Sequence, residues 1–464
     1  MDYLIVLFYT LIFFVVINRL SFFKLYRIST TMLNMALVAK LAASILLVLL
    51  YTYYYTNKET SDIYKYFEDS KALHQLLMNY PSDFFHFLFN QKITDEHANS
   101  LIGGIKYWNK ANSYGLFNDN RTIIIANTLI NFLSNGNILI QSIIVSFMSF
   151  IGCIALFKSL GDFLENKHRF FFICLFFFPS ILLWTSGLLK ETFVLIALCG
   201  IIYFGIKSFE LNSSFKSKVF FILFCFLLFV AKPYFFIFLI PIFLSLFIAR
   251  KIKRISFGRS FMLIYALVIF GSAALTTLIN PVSYDVKYLQ KKSQQKQIAH
   301  LKSQSYKKLI NGKTINLLEA LKYKQKDNLY EARLEKAKSM IYIRKLDGTW
   351  LNVIGALPFG FANALFRPTI FDISSIIITL PALDNLVILL LIIGCFVFYD
   401  KRNKVPLQFT FIVLLFSISI LTFNGILNPV LGNLVRYKAP ILPLILFLLI
   451  AHIDWQKIKQ KFKS

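Results

Sequence analysis

Apolar and polar positions fall along this chain in long blocks rather than in short periods. Apolar blocks occupy 3–18, 33–55, 138–158, 170–189, 192–206, 219–231, 234–249, 261–279, 382–399, 405–423 and 440–453. A hydrocarbon core of about 30 Å takes about 20 helical residues to cross. The blocks therefore predict an all-α, polytopic integral membrane protein with about 11 transmembrane helices. Two segments widen the count to 10–12. Blocks 219–231 and 234–249 read as two spans, or as halves of a hairpin bent at Lys232-Pro233, since proline breaks the helical ladder. Thr122 to Ser134 is short for a span and reads as an interfacial or re-entrant helix.

The run from Phe170 to Ile206 would be apolar throughout were it not for Lys190 and Glu191. An unpaired charge at the centre of a bilayer costs about 2.5 to 3.5 kcal/mol even on a lenient insertion scale. The pair therefore marks a hairpin tip, a polar cavity or a ligand. Consecutive helical residues point about 100° apart, so only one of the two can face a substrate. The expectation is Lys190 toward a phosphate and Glu191 toward a neighbouring helix, through Lys232.

Composition agrees with the block pattern: hydrophobic residues make up 57%, with 51 Phe and a mean hydropathy of +0.62. No removable signal peptide is expected, because the stretch Tyr3 to Ile17 lacks a basic start and a small-residue cleavage site. The five cysteines lie in apolar blocks, which argues against a disulfide framework, and no histidine has metal-ligand spacing. No metal or other cofactor is expected. The net charge of +27 comes largely from short connections: Arg19 to Arg27, Lys207 to Lys218, Arg250 to Arg259, Lys401 to Lys404 and the tail from Lys457. By the positive-inside rule these are cytoplasmic. They suit anionic headgroups, and no nucleic-acid partner is expected.

That assignment gives a cytoplasmic (inner) membrane protein with its C-terminus inside and two large extracytoplasmic regions. Six segments follow: 1–56, two transmembrane helices; 57–121, an outer loop with an acidic motif; 122–279, a transmembrane bundle; 280–381, a Lys-rich outer region with interfacial helices; 382–453, the last transmembrane helices; and 454–464, a basic cytoplasmic tail. Asn57 to Arg121 holds eight acidic and seven basic residues, whereas Asp285 to Asp347 holds sixteen basic and six acidic.

Within the outer regions, Asp62 lies in SDIYKYFEDS, Arg367 in LFRPTIF, and Arg436 and Lys438 in GNLVRYKAP. Each has an ordinary reading, as a solvated carboxylate, a snorkelling arginine or flanking cations. Lys232, Arg436 and Lys438 nevertheless fall on the side where the positive-inside rule disfavours cations. Guanidinium and ammonium groups there suit phosphate or diphosphate oxygens. A carboxylate nearby can take a proton from an attacking sugar hydroxyl. Together these parts suit glycosyl transfer from a polyprenyl carrier.

The motif order SDIYKYF, FPSILLWTSGLLKE, LFRPTIFDISSIIITLPALDN and GNLVRYKAP resembles Wzy-type O-antigen and exopolysaccharide polymerases. The resemblance implies polymerisation of polyprenyl-diphosphate-linked repeat units at the outer face, in the company of other polysaccharide-assembly proteins. It implies Asp62 in the acceptor or base role, Lys190 and Glu191 at the cavity, and Arg367 and Arg436 on the diphosphate. Taken with the charge pattern, the candidates are Asp62 and Glu191 as catalytic and Lys190, Lys232, Arg367 and Arg436 as diphosphate-binding. Two other classes fit part of the pattern. A GT-C glycosyltransferase, which uses a polyprenyl-phosphate sugar, also carries an acid in its first outer loop. A lipid-linked oligosaccharide flippase would be non-enzymatic, but no inverted repeat is visible.

Overall fold

A computed structural model describes residues 2–54, 61–93, 95–108, 119–208, 213–251, 317–334 and 337–461, with isolated positions between 256 and 267. Its helices, in chain order, begin with α1 (Asp2–Arg19), α2 (Thr30–Leu49), α3 (Asp62–Asn79), α4 (Pro81–Leu88), α5 (Glu96–Gly103), α6 (Asp119–Ser134) and α7 (Ile138–Leu160). There follow α8 (His168–Phe177), α9 (Pro179–Trp184), α10 (Lys190–Ser208), α11 (Phe215–Ala231) and α12 (Pro233–Lys251). The last group is α13 (Leu317–Leu334), α14 (Trp350–Phe366), α15 (Ile376–Val397), α16 (Leu407–Leu427), α17 (Leu431–Lys438), α18 (Leu442–His452) and α19 (Trp455–Lys461). No strand longer than an isolated bridge occurs among the described residues. The protein is an all-α membrane protein.

Helix α10 is the axis of the bundle. Every residue from Lys190 to Ile201 is buried, because α7 and α11 pack along it and a helix apolar on every side must be covered on every side. Short basic connections gather at one end. Arg27 donates to the Glu165 carbonyl at 3.0 Å, Lys158 to the Phe22 carbonyl at 2.9 Å, and Lys167 pairs with Asp400 at 2.8 Å. The Asp400 amide reaches the His452 carbonyl at 2.8 Å, which brings the C-terminal connection to the same end.

The other end is closed by α3 and α6. Thr122 donates to the Val230 carbonyl at the close of α11, and Tyr9, midway along α1, donates to the Leu133 carbonyl, each at 2.8 Å. Sixteen residues of helix cover about 24 Å at 1.5 Å per residue, so α6 runs from one span to another across the bundle. Its outer face is apolar, with Leu129, Phe132 and Leu133 all more than half exposed, as an interfacial helix requires. Asn135 and Gly136, with φ of 46° and 71°, turn the chain back into α7.

The observed helices differ from the eleven expected blocks in an instructive way. Among the described residues, five are long and apolar enough to cross a membrane: Thr30–Tyr54, Ile138–Phe163, Lys190–Ser208, Ile376–Val397 and Leu407–Leu427. A sixth arises if α17 and α18, bent by 67°, form one broken span. The expected span 170–189 is not one helix. Pro179 starts a new helix after Phe178, and the chain then leaves helix altogether from Thr185 to Leu189. The hinge at Lys232-Pro233 is present, with Lys232 in extended conformation between α11 and α12. Most of block 261–279 lies outside the described residues. The Pro/Gly-containing stretch from Trp350 to Asn385, expected as short interfacial helices, holds the 17-residue α14, with Pro358 inside it, a short turn at Ile370–Asp372 and the first turns of α15.

Candidate functional site

At the α3–α6 end, charged side chains from five separate parts of the chain meet. Glu191 lies in the first turn of α10, where a carboxylate is favoured by the helix dipole. Its Oε1 accepts from Lys232 Nζ at 2.6 Å and its Oε2 from Arg436 Nε at 2.8 Å. The Glu191 side chain is 0% exposed. Arg436 also donates from Nη1 to Asp62 Oδ2 at 2.7 Å. Lys190, about 100° round the helix from Glu191, turns to α6 instead. It pairs with Asp119 Oδ2 at 2.8 Å and donates to Asn120 Oδ1 at 2.7 Å.

Aromatic rings wall the network. Lys190 Nζ lies 5.4 Å from the Tyr66 ring centroid, and Lys232 Nζ 4.0 Å from that of Tyr437. Such placement over a ring face is attractive for a cation. The Tyr234 hydroxyl, beside Lys232, donates to Asn424 Oδ1 at 3.2 Å. Asp62 is the most exposed member, with a third of its side chain reachable. Burial alone would push its carboxyl up, but Arg436, then Lys190 and Lys65, hold it at about 2. It is therefore ionised across the physiological range.

The network brings together five of the six residues singled out from sequence: Asp62, Lys190, Glu191, Lys232 and Arg436. Arg367 does not join it. Its guanidinium grips Asp372 five residues on, at 2.5 and 3.1 Å, and Asp372 also accepts from the Thr369 amide and hydroxyl. The Arg367 hydrogen bond and the Thr369 donors outweigh partial burial and hold the Asp372 carboxyl at about 2. This is a local clasp between α14 and α15, and it places Arg367, expected on the substrate, on Asp372 and outside the network. Glu191, expected as catalytic, has both oxygens engaged by Lys232 and Arg436 and no exposed side-chain surface.

Sequence reasoning missed Asp119 as a member. It was one of eight acids in the first outer region, and only the fold of α6 onto α3 carries it to Lys190. With Asp119 included, three cations face three carboxylates. The site is balanced rather than cationic.

Two further buried groups prove to be structural. Lys438 lies about 200° from Arg436 on α17 and faces away from the network. Its Nζ donates to the carbonyls of Ala364, Leu365 and Arg367 at 3.1, 3.4 and 3.2 Å and to Asn385 Oδ1 at 2.7 Å. A cation on the last carbonyls of α14 is a helix C-cap. Asp69 accepts from the Lys106 and Tyr107 amides at 3.0 and 2.6 Å, which ties the residues just after α5 to α3.

Part of the Lys-rich region positions Arg436. The Ile341 amide donates to the Pro429 carbonyl at 2.7 Å and the Leu431 amide to the Ser339 carbonyl at 3.0 Å. From α13, Gln325 donates to the Ile426 carbonyl and Asn328 to the Leu427 carbonyl, at 2.8 and 2.9 Å. These bonds fix the α16–α17 junction and hence the direction in which α17 presents Arg436. Among the described residues, no group of three His, Cys, Asp or Glu side chains could hold a metal ion.

No protein-family model, curated protein or solved structure matches the chain. What the fold and the site define is thus a class: a helical membrane protein with a buried, charge-balanced network at one end of its bundle.

Proposed function

We propose that the protein is a membrane glycosyltransferase of the polysaccharide-polymerase type, acting on polyprenyl-diphosphate-linked glycans at the extracytoplasmic face of the cytoplasmic membrane. The observation that carries this reading is the convergence of Asp62, Asp119, Lys190, Glu191, Lys232 and Arg436 at the end of the bundle opposite the basic connections. Stability alone does not call for such a network, because buried ion pairs are often replaced by apolar groups without loss. The resemblance in motif order to Wzy-type polymerases supports the same reading.

In this mechanism Arg436, with Lys190 and Lys232 beside it, receives the diphosphate. Asp62 takes the proton from the acceptor hydroxyl as its oxygen bonds to the anomeric carbon. The bond from that carbon to the phosphate oxygen breaks, and its electron pair leaves with the polyprenyl diphosphate, whose charge the cations stabilise.

The test is a pair of chromosomal substitutions read by gel analysis of surface polysaccharide. Asp62→Asn removes the base and should leave only short chains at normal protein level. Arg436→Lys keeps the charge but loses the fork, with an expected fall in rate of about ten- to a hundredfold. Polymer of ordinary length from Asp62→Asn would reject the reading.

Orientation is tested separately, in a background without the five native cysteines. Gln91→Cys, in the exposed turn after α4, should react with an impermeant maleimide in intact cells. Arg402→Cys, at the basic end, should react only after permeabilisation. The reverse pattern would put the network on the cytoplasmic side and exclude a lipid-linked polymer substrate outside.

A further inference from the structure

The charge balance of the network raises a question of access: every cation offered to a substrate already holds a carboxylate. The carboxylates are not equivalent. Glu191 is fully buried on the central helix, while the Asp62 and Asp119 side chains are 33% and 18% exposed. Both are first-turn residues, of α3 and α6, and these two helices pack on each other at the end of the bundle. Asp62 engages Arg436 through Nη1, whereas a phosphate can accept from two guanidinium donors in parallel. Asp62 also has Lys65 one turn along its own helix, a spacing at which side chains meet.

We propose that Asp62 and Asp119 are resident stand-ins for the substrate's anion, and that a diphosphate group enters by displacing them from Arg436 and Lys190. This rests on reading the site as a diphosphate site and adds how that site is kept neutral when empty. Displacement has a chemical consequence. While it is bound to Arg436, Asp62 is a weak base; once the diphosphate takes the guanidinium, the freed carboxylate gains basicity beside the incoming hydroxyl. The base is thus released by the arrival of the group it serves.

The experiment is calorimetric titration of the full chain in lipid nanodiscs with inorganic pyrophosphate. Asp62→Asn and Asp119→Asn each remove a competing internal anion, so each should bind pyrophosphate about tenfold more tightly than wild type. Glu68→Gln, an exposed acid on the same helix, should change affinity by less than about twofold. Asp62→Asn should also be unable to polymerise, so that binding improves as turnover is lost. If wild type binds pyrophosphate and both asparagine variants bind it equally or more weakly, the displacement idea fails while the diphosphate site stands. Should neither wild type nor the variants bind it, both readings fall. The Asp119→Asn result decides the matter if Asp62→Asn does not accumulate.

Discussion

Glu191→Ala is expected to leave almost no protein in the membrane. The change strips Lys232 and Arg436 of a shared counter-ion inside the bundle. Breaking a buried pair by removing one partner costs about 3 to 5 kcal/mol, because the remaining charge stays buried. Lys232 bears that penalty most directly, since Arg436 keeps Asp62, against a total stability that is commonly about 5 to 15 kcal/mol. Immunoblots of membrane fractions and thermal melts in detergent read the effect. A companion variant separates charge from packing: Glu191→Leu with Lys232→Met and Arg436→Leu removes the ions together and should recover abundance without activity. Normal levels of Glu191→Ala would mean that water reaches the cations and that the network is not the buried structure described above.

Gly425→Val is the second large effect, and it acts through steric contact rather than charge. α14 and α16 approach so closely that a Cβ on Gly425 would fall on the backbone of Gly360. Backbone cannot rotate aside as a side chain can, so the two helices must separate. Overpacking typically costs about 1 to 3 kcal/mol, occasionally more, and backbone against backbone lies at the upper end. Since α16 leads directly into α17, the shift also reaches Arg436. Melting temperature and polymer length should fall together. Gly432, on α17, has nothing within 4 Å of where its Cβ would stand; Gly432→Ala should leave melting unchanged and serves as the control. Equal melting of the two variants would refute the close approach.

Some of this was legible in the chain. Lys190 and Glu191 stood out because charge is rare in so apolar a run, and Lys232-Pro233 because proline and cation coincide between two blocks. One half of their expected division is visible, since Glu191 meets Lys232 at 2.6 Å, while Lys190 is paired with Asp119. What the sequence hid was pairing. Asp119 looks like any other loop acid until α6 folds across the bundle. Arg367 and Arg436 look alike in one dimension, yet one finds its carboxylate five residues away and the other finds two carboxylates 374 and 245 residues away. Span counting was coarser for a related reason. Apolar runs report burial, and residues buried by protein, such as Phe171, Phe172 and Phe176 of α8 and Ile181 of α9, are as apolar as those facing lipid.

The long-range pairing of Glu191 also sets a timetable for biogenesis. Its partners follow it by 41 and 245 residues. At about 5 to 20 residues per second of synthesis, Lys232 emerges within seconds, whereas Arg436 follows only tens of seconds later. For that interval the half-made protein holds a buried carboxylate neutralised by a single lysine, and α17 must slot its guanidinium into a bundle already largely in place. Lys232 is thus the provisional counter-ion of assembly and Arg436 the closing one. A ribosome that stops before α17 leaves behind a chain in which Glu191 and Asp62 both lack their arginine.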